Sequence, residues 1–329
     1  MVKTVFSIGL STGEKLTIKK NRLEGTALSG QNKRVAIVSG THGDELEGQY
    51  VCYEVIRRIK EHPEYLCGVV DIYPALNPLG IAVADRMVPR LELDMNRMFP
   101  GDEKGTPMER VTAAIIQDLA GADLCIDVHA SNEFLKEIPQ VRISEEFAEK
   151  LLPYAKHMNA DMVWMNATAT VHESTLAHSM NMLGVPTLVV EMGLGMRVNR
   201  NFGSQVVDGI FNLLYEMGLW SKKPRNIQFP VLSTDGEVEF IRAQCDGVFL
   251  PAIEHNHFIK MGDVIGEIIN PIEGTVKQEI VAVKDGLVFT LREYPIVNEG
   301  SLIARILTDI QIGSRESDWE KSKGEEECS

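Results

Sequence analysis

Two short polar motifs each follow an apolar, β-branched run, and their side chains are of the kinds that bind a metal ion. His42 and Glu45, three positions apart, come after the run RVAIVSG, and His129 follows LCIDV. Zinc accepts imidazole nitrogen and carboxylate oxygen in tetrahedral sites, and three protein ligands leave one position for water. Zinc lowers the pKa of that water to about 7. The pattern therefore predicts one zinc ion per chain, bound by His42, Glu45 and His129.

A carboxylate beside that water must take up its proton and pass it to the leaving nitrogen. Glu191 ends the very apolar segment VPTLVVE. Burial among apolar side chains raises the pKa of a carboxyl group, which suits Glu191 to act as this base and acid. Asp127 has two interpretations: it orients His129 through a hydrogen bond, or it is simply a carboxylate at the end of a strand.

A second polar segment, DMNRMFPG, begins at Asp94 and contains Asn96 and Arg97. A planar guanidinium binds a carboxylate through two parallel hydrogen bonds, so an Asn-Arg pair near a metal ion is suited to hold a substrate carboxylate. We therefore predict that Asn96 and Arg97 bind the substrate.

The elements that must position these residues alternate between strand and helix. Strand-like runs cover 34–40, 68–73, 124–128 and 187–191, and helical patterns cover about 44–60, 107–120, 145–156, 173–183 and 204–217. This alternation predicts an α/β fold with helices on both faces of the sheet. Ligands of such folds gather at the carboxyl ends of the strands, where the polar motifs lie.

From residue 226 the sequence changes to short alternating runs separated by glycines. We predict a catalytic domain over 1–225, a smaller all-β domain over 226–313 and a disordered tail over 314–329, which is polar and charged.

The composition argues against several classes of protein. The net charge of -14, without a Lys/Arg stripe, argues against nucleic acid as a partner. The five cysteines are widely spaced and include no C-x-x-C pair, which argues against a disulfide framework and favours a reducing cytoplasm. No apolar run is long enough to cross a membrane and no signal peptide is recognisable, so we expect a cytoplasmic protein without a membrane partner.

A known family shares these motifs in the same order. The motifs are His42-Gly43-Asp44-Glu45, Asn77-Pro78, Asp94-Met95-Asn96-Arg97, Asp127-Val128-His129 and Glu191. They resemble the succinylglutamate desuccinylase/aspartoacylase family, which belongs to the zinc carboxypeptidase superfamily. The chain resembles the branch of this family that has a C-terminal lipoyl-like, barrel-sandwich β domain. The resemblance implies a carboxypeptidase-like mixed sheet flanked by helices. It also implies the zinc ligands, the base and the substrate-binding pair named above.

By the same resemblance, an earlier arginine polarises the scissile carbonyl group. Arg86 begins the segment RMVP, which is similar to the family's R-Y-V-P segment, and is the residue that we assign to this role. Met87 stands where an aromatic residue is usual, and Arg90 offers a rival guanidinium.

The expected activity is zinc-dependent hydrolysis of the amide bond of a small N-acyl amino acid or a related carboxylate-bearing substrate. A metallocarboxypeptidase or an esterase would use the same site, and a non-catalytic zinc-containing binding protein is a third alternative. The sequence leaves open the acyl group, the amine, the preference for amide or ester, and assembly into a homo-oligomer.

Overall fold

The computed structural model describes residues 1–9, 13, 15–25, 33–89, 91–167 and 173–308. The predicted tail over 314–329 and the rival residue Arg90 lie outside the described residues. The chain divides into two compact units, Met1–Asp235 and a second unit that begins at Gly236.

The first unit is built on a mixed sheet. Its strands are β1 (Val2–Gly9), β2 (Lys15–Glu24), β3 (Arg34–Ser39), β4 (Val69–Tyr73), β5 (Leu124–Val128), β6 (Leu135–Ser144), β7 (Met162–Asn166), β8 (Thr187–Gly193) and β9 (Val231–Thr234). They lie in the order β1-β2-β4-β3-β5-β8-β6-β7-β9. The central strands β4, β3, β5 and β8 are parallel. The pairs β1–β2, β2–β4 and β6–β8 are antiparallel, whereas β6 and β7 are parallel.

Helices cover both faces of this sheet. They are α1 (Glu47–Glu61), α2 (Pro78–Val83), α3 (Pro107–Leu119), α4 (Ala148–Ala155), α5 (Leu176–Met182) and α6 (Arg200–Glu216). Along β3, Val35 and Ile37 pack into one hydrophobic cluster with α1 and α6, whereas Ala36 and Val38 pack into another with α3 and α5. A strand that is buried on both faces has a continuous apolar sequence. The predicted α/β fold with a mixed sheet is confirmed.

Helix starts explain two of the polar motifs. Asn77 caps α2 by accepting a hydrogen bond from the backbone of Gly80, and Pro78 occupies the first turn. Thr106 and Glu109 form a capping box at the start of α3.

Within the described ranges, none of the helices has the length and apolar character that crossing a bilayer requires.

The first unit extends beyond the boundary predicted after residue 225. Strand β9 pairs in parallel with β7, with Val231 opposite Met162. The segment 231–234 therefore completes the edge of the first sheet, and the division between the units falls after Asp235.

The second unit consists of antiparallel strands. They are β10 (Val238–Arg242), β11 (Gly247–Pro251), β12 (His257–Ile259), β13 (Val264–Asn270), β14 (Thr275–Val281), β15 (Gly286–Arg292), β16 (Ile296–Val297) and β17 (Leu302–Leu307). They form the arrays β10-β17-β15-β12 and β14-β13-β11-β16. Phe249, Ile268, Val288 and Ile306 from both arrays share one buried core. The predicted C-terminal β region is therefore confirmed.

Candidate metal and catalytic site

The parallel strands bring the polar motifs to one edge of the sheet. Ser39, at the end of β3, is in register with Val128, at the end of β5. His42 and Glu45 lie in the connection from β3 to α1, and His129 directly follows β5. The backbone N–H of His129 donates to Val190 on β8, the residue before Glu191. All four predicted residues therefore meet at the carboxyl ends of neighbouring strands.

The three predicted metal ligands converge on one another. The Nδ1 atoms of His42 and His129 lie 2.6 and 2.7 Å from the two carboxylate oxygens of Glu45. One ligand atom from each residue lies within 4.8 Å of the others, and all three residues are buried. Two imidazoles and one carboxylate are a common donor set of catalytic zinc sites, so these residues fit the ion.

Two further carboxylates lie next to the imidazoles. Asp94 Oδ1 lies 3.1 Å from the Nε2 of His42, and Asp127 Oδ2 lies 3.2 Å from the Nε2 of His129. A histidine that binds metal through one ring nitrogen commonly donates from the other to a carboxylate. This geometry favours the orienting interpretation of Asp127, and it adds Asp94, whose position beside His42 was not predicted from the sequence.

The charges of the cluster are balanced internally. Burial alone would lower the pKa of His129, but Asp127 and Glu45 outweigh burial and raise it well above its usual range. Burial would raise the pKa of Glu45, but His129 and His42 hold it well below its usual range. Zinc binds neutral imidazoles, so its binding would displace the protons that these histidines carry.

A close backbone approach places Arg86 beside the ligands. Gly43 donates its backbone N–H to Asp85 at 3.1 Å, and a Cβ atom at position 43 would lie only 2.1 Å from the carbonyl carbon of Gly80. Arg86 follows this contact. Its guanidinium donates to Glu45 at 3.1 Å and to Asp94 at 3.2 Å, so the structure brings Arg86 directly to the ligand cluster.

The predicted substrate-binding pair lies on a short 3-10 helix, Met95–Arg97, which Asp94 caps. The side-chain oxygen of buried Asn96 accepts a hydrogen bond from the backbone of Leu176 at 3.0 Å. Arg97 is exposed, and its Nη1 donates to the backbone oxygen of Asn96 at 2.8 Å. The structure thus holds Asn96 next to Asp94, while Arg97 reaches solvent.

Glu191 has the environment of a proton-transfer group. Burial raises its pKa to about 7, against the opposing effects of Arg142 and His129. The nearby carboxylates of Glu45 and Glu137 contribute further to the rise. A carboxyl group with this pKa can both accept and donate a proton near neutral pH.

Strand β6 supplies neighbours of Glu191 that were not predicted from the sequence. Arg142 Nη1 lies 3.5 Å from Glu191 Oε1, and Arg142 Nη2 donates to Glu137 Oε2 at 2.6 Å. The alternation of polar Gln140, Arg142 and Ser144 with apolar residues is a strand signal. Pro139 obscures this signal, because proline is disfavoured within strands.

Comparisons with known proteins identify similar sequences. Residues 31–217 match the succinylglutamate desuccinylase/aspartoacylase catalytic domain family. An N-alpha-acetyl-L-2,4-diaminobutyric acid deacetylase from Halomonas elongata is 24% identical over 286 residues, which cover 84% of this chain and 82% of that protein.

Solved structures share the fold. A succinylglutamate desuccinylase/aspartoacylase from Rhodobacter sphaeroides superposes with a TM-score of 0.78 at 22% identity, over 94% of this chain and 96% of its own. The product-bound ectoine utilization protein EutE (DoeB) from Ruegeria pomeroyi has a TM-score of 0.78 at 20% identity, over 93% of this chain and 94% of its own. At these identities the similarity establishes the fold of the chain.

Proposed function

Because the chain belongs to the succinylglutamate desuccinylase/aspartoacylase family of N-acyl amino acid deacylases, we propose that it is a zinc-dependent hydrolase of small N-acyl amino acids. The observation that carries this proposal is the convergence of His42, Glu45 and His129 at the strand ends, next to a carboxyl group with a raised pKa. The family relationship supports a hydrolase, and the donor set supports zinc.

Zinc held by His42, Glu45 and His129 would act as a Lewis acid and make water nucleophilic at neutral pH. Glu191 takes up one proton of the attacking water as the water oxygen bonds to the acyl carbon. The C–N bond then breaks as Glu191 passes that proton to the nitrogen, so that the products are a neutral amine and a carboxylic acid. Arg86 stabilises the negative charge that develops on the acyl oxygen. Its ion pairs with Glu45 and Asp94 hold the guanidinium next to the ligand cluster before substrate arrives.

The proposed substrate carries a carboxylate that Asn96 and Arg97 recognise. The side-chain oxygen of Asn96 already accepts a hydrogen bond from the backbone N–H of Leu176. The side-chain amide nitrogen of Asn96 is therefore the end that can donate to a ligand. The exposed guanidinium of Arg97 can add two parallel hydrogen bonds to the same carboxylate. The two residues together would set the orientation of the amide bond relative to Glu191.

A hydrolysis screen tests the proposal. The zinc-loaded protein is incubated with N-acetyl and N-succinyl amino acids, including N-α-acetyl-2,4-diaminobutyrate, and the released amine is quantified. We include the diaminobutyrate derivative because of the relative from Halomonas elongata. We expect turnover of at least one N-acyl amino acid and no comparable turnover of its amidated counterpart, which lacks the carboxylate.

The same screen decides between the alternatives. Peptides with free carboxyl ends and carboxylate-bearing esters are added to the panel at matched concentrations. Preferential cleavage of a peptide would identify a carboxypeptidase, and preferential cleavage of an ester would identify an esterase. A protein that retains zinc but is inert towards the whole panel would be the non-catalytic binding protein.

We expect Asp94→Asn to weaken zinc binding by about 10- to 100-fold, because the carboxylate that orients His42 is lost. Asparagine is isosteric and also caps helices, so the short helix that begins at Met95 should remain in place. Competition with a chromophoric chelator measures the affinity. Asp246→Asn, which removes an exposed carboxylate paired with Lys277, is the matched control, and equal affinities of both variants would contradict the role of Asp94.

A further inference from the structure

The pairing of β6 with β8 places three β6 side chains on the same face of the sheet as Glu191. Gln140 lies directly opposite Glu191 in the antiparallel ladder, and Arg142, two residues further along, shares the face of Gln140. The register shifts by one residue between Glu137 and Gln140, so that Glu137 lies opposite Gly193. A bulge of this kind changes the face on which a side chain lies, and here it turns Glu137 towards Arg142.

Arg142 is held by several partners. Its Nη2 donates to Glu137 at 2.6 Å, and its guanidinium lies 5.4 Å from the centre of the Trp164 ring. Gln140 donates to Glu137 at 3.0 Å and so fixes the carboxylate that Arg142 binds. The indole N–H of Trp164 donates to Asp235 at 2.8 Å, which fixes the ring. The guanidinium is therefore preorganised before any ligand binds.

The remaining edge of the guanidinium faces Glu191, at 3.5 Å between Nη1 and Oε1. We propose that Arg142 is a positioning residue that orients the carboxylate of Glu191 and keeps it ionised for proton transfer. The inference rests on the proposed function, in which Glu191 is the base. Neither the sequence motifs nor the family relationship assigns a role to Arg142.

The charges around Glu191 explain why such a residue is needed. The carboxylates of Glu137 and Glu45 act on Glu191 as like charges and favour its protonated form. Arg142 has the largest opposing effect, and its Nη1 lies 3.5 Å from Glu191 Oε1. The second opposing effect comes from His129, which would be neutral when it binds zinc. Without Arg142, buried Glu191 would face the carboxylate of Glu137 without an intervening positive charge. Protonation would then remove the base at neutral pH.

Carbon-13 NMR of the glutamate carboxyl groups tests the proposal without requiring turnover. The zinc-loaded wild-type protein, Arg142→Met and Arg142→Lys are labelled with [13C]glutamate, and a Glu191→Gln sample identifies the Glu191 signal. We expect Glu191 to titrate about 1 to 3 pH units higher in Arg142→Met than in wild type, because an adjacent arginine lowers a carboxyl pKa by that amount. Arg142→Lys keeps the positive charge and should titrate close to wild type.

Kinetics measured on the same samples test the consequence for catalysis. In Arg142→Met we expect the acidic limb of kcat/KM to move upward by the same interval, so that kcat/KM at pH 7 falls about 5-fold or more and recovers at alkaline pH. KM and zinc content should stay near their wild-type values. Arg57→Met, which removes an arginine from ion pairs on the helix surface with Glu54 and Glu61, should leave both the titration and the limb unchanged.

Three outcomes in Arg142→Met would overturn the proposal. An unchanged Glu191 titration in Arg142→Met would show that Arg142 does not control the carboxylate. A raised KM with an unchanged kcat would make Arg142 a substrate-binding residue, and loss of zinc would make it a support of the metal site. Inactivity of the wild-type protein towards every acylated substrate would overturn the proposed function alone, since the NMR titration still reports on Arg142.

Discussion

Replacing Glu191 with glutamine is expected to lower kcat by about 100- to 10,000-fold, the range that general acid–base catalysis contributes, and to leave zinc bound. Glutamine has nearly the same shape as glutamate but cannot accept a proton from water. The predicted ligands His42, Glu45 and His129 do not include Glu191, so the metal content should remain that of wild type. Single-turnover kinetics together with metal analysis measure both quantities on one sample.

The control for this substitution is Glu216→Gln, which changes an exposed glutamate near the end of α6. We expect this variant to retain wild-type kcat. Activity of Glu191→Gln within a few-fold of wild type would remove Glu191 from the mechanism, and loss of zinc from it would place Glu191 among the ligands.

The pH dependence of the wild-type enzyme follows from the same residue. Burial raises the pKa of Glu191 to about 7, and the ionised form is the one that accepts a proton. Activity should therefore be present above this pKa and decline as the pH falls through it. The profile of kcat/KM reports the free enzyme, so it is the measurement that tests this expectation.

The central part of the fold could be predicted because its strands are buried on both faces. The runs VAIV in β3 and LCI in β5 are continuously apolar, and each leads to a polar motif. Strand β2 lacks this signal, since its sequence KLTIKKNRLE is rich in charge. Lys20 is nevertheless buried, because it forms ion pairs with Asp71 at 3.2 Å and with Asp118 at 2.7 Å. Because Asp71 and Asp118 are distant from Lys20 in sequence, no local sequence pattern predicts the burial of Lys20.

The candidate site also has residues that could be predicted from the sequence and residues that could not. The predicted metal ligands His42, Glu45 and His129 lie shortly after the strands β3 and β5, where spacing limits which side chains can meet. The positions of Glu137 and Arg142 near Glu191 could not be predicted. They depend on the register in which β6 pairs with β8 and on the bulge in that pairing. The outer carboxylate Asp94 lay in a recognised motif, but its distance from His42 depends on the packing of the segment after α2 against the β3–α1 connection.

Loss of one zinc ligand should have the largest effect on metal binding. We expect His129→Gln to bind zinc more weakly than Asp94→Asn, which is expected to lose about 10- to 100-fold, because a ligand atom and not only its orientation is removed. Turnover should fall below detection. The neutral amide of glutamine is a poor zinc ligand, yet it can donate to Glu45 or Asp127 and so reduce the cost of leaving a buried carboxylate without a donor.

Chelation separates a metal effect from a folding effect in this experiment. Wild-type protein treated with a chelator should lose activity and regain it when zinc is restored, whereas His129→Gln should remain inactive at the same zinc concentration. His62→Gln, which changes an exposed histidine next to Glu64, should behave as wild type. His42 and Glu45 lie on the connection after β3, and His129 follows β5, so the site needs both strand ends. Persistence of zinc and activity in His129→Gln would therefore mean that the convergence of the three residues does not form the metal site.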